Sequence, residues 1–367
     1  GLFGLAVRER ALGPLWTQLS RFKDRLPPEF RENLEQAAAL EQIRQLRLER
    51  RLRDSVRLLA DADITPMLLK GAAFIRTLYG DSRDRPMLDI DLLVPAAEID
   101  RARDVLMAGG WTWDREKFPE EMYSRHYHLP PLVDSGNSGI ALELHEGLFI
   151  PGHPLAFGPE DLGRRAERVD VGGRPVLVPH PVDHLVYVCL HFAWSHALGS
   201  GGWRTLRDVA RLVEAPSVRW DEVVRRAKRA DGSVSVYWTL RLQRDLLGGE
   251  VPESVLDALG PPLPESVLLR LTRHYVLELF STGPSCPSVR FRHLLWSLGN
   301  RWGRDGPAIL SGRGGVRPWE YSDDFRLPGQ EEPGPDRGIV RIGRHLEDRG
   351  RWREYLRRTL FPTSVTD

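Results

Sequence analysis

Cysteine is nearly absent: Cys189 and Cys286 are the only two in 367 residues, and neither stands in a C-x-x-C or comparable spacing. This excludes a disulfide scaffold, a thiolate zinc site and a dithiol redox centre, and points to a reducing cytoplasm. Long apolar runs are also lacking. The opening Gly1-Leu2-Phe3-Gly4-Leu5-Ala6-Val7-Arg8 is apolar but too short for a spanning helix or a signal core, so neither secretion nor a membrane anchor is expected. Nor does one sign of charge prevail. The 52 basic and 51 acidic residues leave a formal +1, without the global field of a dedicated nucleic-acid or membrane-surface binder, which argues against nucleic acid as a partner. There is no Ser-His-Asp set, nucleophile elbow or internal repeat. What remains is a globular chain, 41% hydrophobic, able to bury a large core in two or three packed units.

Periodicity divides the chain. Residues 1–62 form a helical N-terminal region, with Leu34, Ala38, Ile43, Leu46 and Leu58 recurring at helical spacing among Arg and Glu. Residues 63–180 alternate in the manner of strands at 67–69, 90–94, 127–129 and 140–145, with helices over 71–79 and 96–108 and a hairpin over 169–178 that turns on Gly172-Gly173. Residues 181–300 return to helices, expected over 183–196, 204–214, 221–230, 234–247 and 267–280. Residues 301–367 read as a flexible Gly- and Pro-rich loop, typified by Pro328-Gly329-Gln330-Glu331-Glu332-Pro333-Gly334-Pro335, followed by a basic helix. The fold class is therefore α+β: a small mixed β-sheet core with a helical N-terminal segment and a helical C-terminal domain.

One stretch carries a chemistry. Lys70-Gly71-Ala72-Ala73 lies where a strand gives way to a helix, and Arg85-Pro86-Met87-Leu88-Asp89-Ile90-Asp91-Leu92-Leu93-Val94 follows. Asp89 and Asp91, two apart on a strand, project from one face, and Ile90, Leu92 and Val94 from the other. Two carboxylates about 6–7 Å apart repel by roughly 2–3 kcal/mol at an effective dielectric near 20, and a divalent ion between them reverses the sign. Mg²⁺ takes hard oxygen ligands and leaves positions for substrate phosphates. The amides at the helix start favour phosphate oxygens, Gly71 permits close approach, and Lys70 and Arg85 supply charge. A bare D-x-D is more often a polar strand face than a metal site; the context raises its weight. Glu143, in the apolar run Ile140-Ala141-Leu142-Glu143-Leu144-His145, is the best third acid and shares a strand face with His145.

Other groupings are weaker. His184, His191 and His196 are expected to be packed rather than metal-bound. His126, His128 and His145 are candidate substrate contacts beside the acidic face. Gly199-Ser200-Gly201-Gly202 and Ser311-Gly312-Arg313-Gly314-Gly315 resemble phosphate loops only in glycine content, and Arg204, Arg207 and Asp208 open a helix where an arginine could reach a bound nucleotide but solvated side chains are expected.

Taken together, Lys70-Gly71-Ala72-Ala73, the Arg85 to Val94 run and Glu143-Leu144-His145 resemble the uncharacterised nucleotidyltransferase family of the DNA polymerase β superfamily. The resemblance implies a minimal nucleotidyltransferase sheet, Mg²⁺ (or Mn²⁺) at Asp89, Asp91 and Glu143, a nucleoside triphosphate as co-substrate held by Lys70, Gly71, Ala72 and Arg85, and catalysis by the three acids. It also implies a small-molecule or peptide acceptor in a biosynthetic tailoring role. Two departures stand out: Gly71-Ala72 replaces the superfamily's usual Gly-Ser, and the third acid is Glu in place of the more frequent Asp. The alternatives are a toxin-like enzyme modifying tRNA or protein, a non-catalytic nucleotide-binding module, or a transferase moving a sugar onto a phosphorylated peptide.

Overall fold

The computed structural model describes residues 2–261, apart from 124–125, 137, 152, 154 and 197–201, together with isolated positions up to Thr272. The helix expected over 267–280 lies almost wholly outside the described residues, as do the loop and basic helix expected beyond 300 and the glycine-rich stretches at 199–201 and 311–315.

Helices α1 (Leu2–Arg8) and α2 (Leu12–Leu19) lead into α3 (Pro28–Asp61). Proline in its first turn and Glu29 beside it suit a helix start, where N–H groups lack partners and the dipole is positive. Its buried stripe, Leu34, Ala38, Gln45, Leu48, Leu52, Val56 and Leu59, follows the three-and-four spacing of one helix face. Exposed Ile43 and Leu46 fall off that stripe, although the sequence pattern placed them on it.

Strand β1 (Met67–Leu68) runs into α4 (Lys70–Phe74), whose last turn widens to i→i+5 bonding over Ile75–Tyr79 and stops at Gly80, in the left-handed conformation open to glycine. Then follow β2 (Ile90–Leu93), α5 (Ile99–Ala108), β3 (Trp111–Trp113), α6 (Glu120–Tyr123), β4 (Leu132–Asp134), β5 (Ala141–His145), α7 (Pro159–Gly163) and the hairpin β6 (Glu167–Asp170) and β7 (Pro175–Val178). The hairpin turns on Gly172 and Gly173, both at positive φ, as expected. The 127–129 segment contributes only a bridge, His128 opposite His145.

The seven described strands form one mixed sheet in the order β3-β4-β5-β2-β1-β7-β6. β2 pairs antiparallel with β1 and parallel with β5, which puts β2 at the centre of the sheet. One face, with Leu68, Ile90, Leu92, Leu142 and Leu144, packs with α3, α4 and α5 residues in one apolar cluster. Met67 and Leu93 belong to a second cluster with the helices α8 (Pro181–Trp194), α9 (Gly202–Val213), α10 (Trp220–Arg229), α11 (Ser233–Leu247) and α12 (Glu253–Leu259). The first four of these match the expected helices to within a few residues; α12 was not anticipated. The architecture is the mixed α/β arrangement expected, with a larger sheet.

Candidate active site

The pairing of β2 with β5 builds the site, because the parallel register sets Asp91 directly beside Glu143 and Leu93 beside His145. Side chains at equivalent heights on neighbouring strands share a face, so both carboxylates point the same way, with His145 one step along. One ligand atom each from Asp91, Glu143 and His145 lies within 4.8 Å of the others, and this is the group among the described residues able to hold a metal ion. His145, expected to touch substrate, thus stands inside the acidic cluster. The signal was present: Glu143 and His145 are two apart on one strand.

Asp89 sits one residue ahead of β2, at the strand's mouth, and is not in that three-residue group. Its approach is pinned from α3. The buried Gln45 amide donates to the Met87 carbonyl at 2.9 Å and accepts from the Met87 N–H at 2.7 Å, while Arg44 donates to the carbonyls of Met87 (2.8 Å) and Leu88 (2.5 Å). A mid-helix glutamine with both amide atoms engaged by one backbone residue holds that residue as a strand partner would.

Lys70 adopts φ +44°, uncommon for a residue with a Cβ, at the turn from β1 to α4. Its ammonium donates to Asp91 Oδ1 at 2.8 Å, and His145 Nε2 lies 3.0 Å from the same oxygen and 3.5 Å from Glu143 Oε2. His128 Nε2 is 3.7 Å from Glu143 Oε2, with its Nδ1 on the Leu129 carbonyl at 2.7 Å, and the His126 ring is 4.0 Å from that of His128. His145 and His128 therefore line the acidic cluster, and His126 packs on His128.

The charges respond to this crowding. Burial, and then the negative charges of Asp91 and Glu143, push Asp89 up to about 7. Burial works against ionisation of Asp91 too, but the Lys70 ammonium and the His145 bond overcome it and hold the carboxyl at about 2. Burial likewise opposes ionisation of Glu143, yet His128 and His145 outweigh it and keep that carboxyl well below the usual range. Burial lowers His128 to about 4, so it is neutral at pH 7. Three carboxylates facing one lysine make an anionic site short of positive charge, in which burial and like charge keep Asp89 raised although Lys70 and Arg204 pull it down. A divalent cation fits this deficit, and Asp91, Glu143 and His145 would hold it.

The other residues singled out from the sequence lie in different surroundings. Gly71 and Ala72 are buried in α4, and a Cβ on Gly71 would stand 3.2 Å from Arg85 Nη1 and 3.3 Å from the Met87 side chain. Arg85 is itself buried and donates to Asp208 through Nε (2.8 and 2.9 Å) and Nη2 (2.7 Å), and through Nη1 to the Pro86 carbonyl. No hydrogen bond or ion pair joins Arg85 to the three carboxylates. Asp208, expected to be solvated, is instead 2% exposed and also accepts from Tyr79 Oη at 3.0 Å. Arg204 and Arg207, expected to be solvated as well, are half-buried on α9. The α9 sequence could not disclose this, because the partner of Asp208 comes from a loop far away in the chain. His184 stacks on Phe74 at 4.0 Å, as a packed histidine does, and His191 is buried on α8.

No helix among the described residues is long and apolar enough to cross a membrane. No curated protein and no solved structure matches the chain. A family model described as "Uncharacterised nucleotidyltransferase" matches residues 2–248, a span that takes in α1 to α11 and every side chain of the acidic cluster. The chain belongs to this family of uncharacterised nucleotidyltransferases.

Proposed function

We propose that the protein moves a nucleoside monophosphate from a nucleoside triphosphate to a hydroxyl or phosphate of a small-molecule or peptide acceptor, within the DNA polymerase β superfamily, and that it serves a biosynthetic tailoring pathway. The observation that carries this reading is the convergence of Asp91, Glu143 and His145 beside Asp89 and over Lys70, in a family named for this transfer.

In the reaction an acceptor oxygen attacks the α-phosphorus, the new P–O bond forms as the bond to the β-phosphate oxygen breaks, and pyrophosphate leaves with the electron pair. Asp91, Glu143 and His145 would hold a divalent cation, Mg²⁺ or Mn²⁺; the imidazole nitrogen favours Mn²⁺, since Mg²⁺ strongly prefers oxygen. Such a cation supplies charge neutralisation at the phosphates and a lowered pKa for the acceptor hydroxyl. Asp89 takes the acceptor proton. Its pKa near 7 matches that task at neutral pH, whereas Glu143, held low, is a weak base. Lys70 keeps Asp91 ionised and places a positive charge next to the reacting phosphate.

The test is pyrophosphate release from each of the four triphosphates by the wild type, Asp91→Asn and Asp89→Asn. Loss of turnover by about a hundredfold or more in both variants, with folding retained by circular dichroism, is expected. Unchanged release in the two variants refutes the assignment.

A further inference from the structure

A second charged feature lies beside the acidic cluster, and it is basic. A shallow cleft between the N-terminal helices and the start of α9 is lined by Glu9, Arg10, Arg85, Trp203, Arg204 and Arg207 among others. Arg85 is committed to Asp208. The guanidinium groups of Arg10, Arg204 and Arg207 make no hydrogen bond or ion pair with any described residue; Arg207 only faces the Tyr79 ring at 5.9 Å. Among the described residues, three arginines without a hydrogen-bonded or ion-paired carboxylate thus line one cleft, with Glu9 as the acidic residue on its wall. Leaving a half-buried guanidinium unpaired is unfavourable, and Arg204 shows it: burial, and then the neighbouring charge of Arg85, lower it to about 10.

The position matters as much as the charge. Arg204, on the cleft wall, is close enough to Asp89 for their charges to influence each other. The turn at Lys70 and Gly71 offers less to an anion, because Arg85 and Met87 cover Gly71 and the Lys70 ammonium rests on Asp91.

We infer that the cleft is a phosphate-binding subsite, in which Arg10, Arg204 and Arg207 grip a phosphate ester group through forked hydrogen bonds while the Trp203 indole offers an apolar face to the moiety attached to it. The inference builds on the nucleotidyl-transfer reading by naming where a substrate phosphate is held. Two substrates could bring that phosphate: the triphosphate tail of the nucleotide, or a phosphorylated acceptor.

Calorimetric titration of the full chain without divalent metal distinguishes them. The probes are pyrophosphate and a non-hydrolysable ATP analogue for the first source, inorganic phosphate and O-phosphoserine for the second. Arg204→Gln and Arg10→Gln are each expected to weaken at least one pair of probes by about tenfold or more, the usual consequence of losing a charge-assisted hydrogen bond. Arg10 lies at an exposed turn, so its replacement leaves the melting temperature unchanged and keeps the test valid should Arg204→Gln fold poorly. Weakening confined to pyrophosphate and the ATP analogue assigns the cleft to the triphosphate tail, and weakening confined to phosphate and O-phosphoserine assigns it to the acceptor. Wild-type affinity for all four probes in both variants, or no binding by the wild type, overturns the inference. Repeating the titration with Asp91→Asn separates the two readings: binding that persists there, and still depends on Arg204, upholds the cleft even if no triphosphate is ever turned over.

Discussion

Replacing Lys70 by methionine removes the ammonium while keeping the length and the apolar stem of the side chain. In the wild type that ammonium sits 2.8 Å from Asp91 Oδ1, with Asp91 almost fully enclosed. The carboxyl is held at about 2 against an ordinary value of 3.8, despite burial that pushes the other way. A shift of that size corresponds to about 2–3 kcal/mol, with Lys70 the larger favourable cause and His145 the next. The sign follows from the depressed pKa. Asp91 contributes stability that is fully present above the unfolded value near 4 and is lost as pH falls through about 2. Lys70→Met is therefore expected to lose about 2–3 kcal/mol at pH 7 and roughly half as much at pH 3. Because methionine has to adopt the same positive φ as Lys70, backbone strain cancels in the comparison. Urea unfolding at the two pH values measures both quantities. Equal stability at pH 7, or a deficit of the same size at pH 3, refutes the electrostatic account and indicates a packing effect.

Two further outcomes follow from the same geometry. Asp89 titrates near 7 and, despite burial, its bonds to Asp91 and Glu143 hold His145 above its ordinary value, so Mn²⁺ binding is expected to strengthen as pH rises through 7, with protons displaced from both Asp89 and the His145 imidazole at pH 6; calorimetry in buffers of different ionisation enthalpy counts them, and Asp89→Asn removes about one. Asp208→Ala strips Arg85 of its buried partner and Tyr79 of its acceptor, and should destabilise the chain by about 3–5 kcal/mol, read as a lowered urea midpoint; a change below about 1 kcal/mol contradicts the buried pairing.

The site was partly legible in the chain. Asp89 and Asp91 on an alternating strand, Lys70 at a strand-to-helix turn and Glu143 with His145 on a second strand are local patterns, and strand alternation alone places each side chain on a face. That Asp91 and Glu143 stand side by side is a matter of strand order and register, set by which apolar faces must meet α3, α4 and α5. Arg85 and Asp208 show the limit most clearly. Among their sequence neighbours Arg85 reads as a phosphate contact and Asp208 as a solvated helix residue, and they become a buried pair only when α9 is brought against the loop before β2.

Element types and the acidic, metal-fitting chemistry were thus written into the chain locally, because periodicity and residue type act over a few positions. Packing was needed to set Asp89 apart from the Asp91, Glu143 and His145 group, to lay Arg85 over Gly71, and to gather Arg10, Arg204 and Arg207 in one cleft. Burial and Coulomb interactions depend on separation in space, and those separations exist only once the sheet and helices have come together.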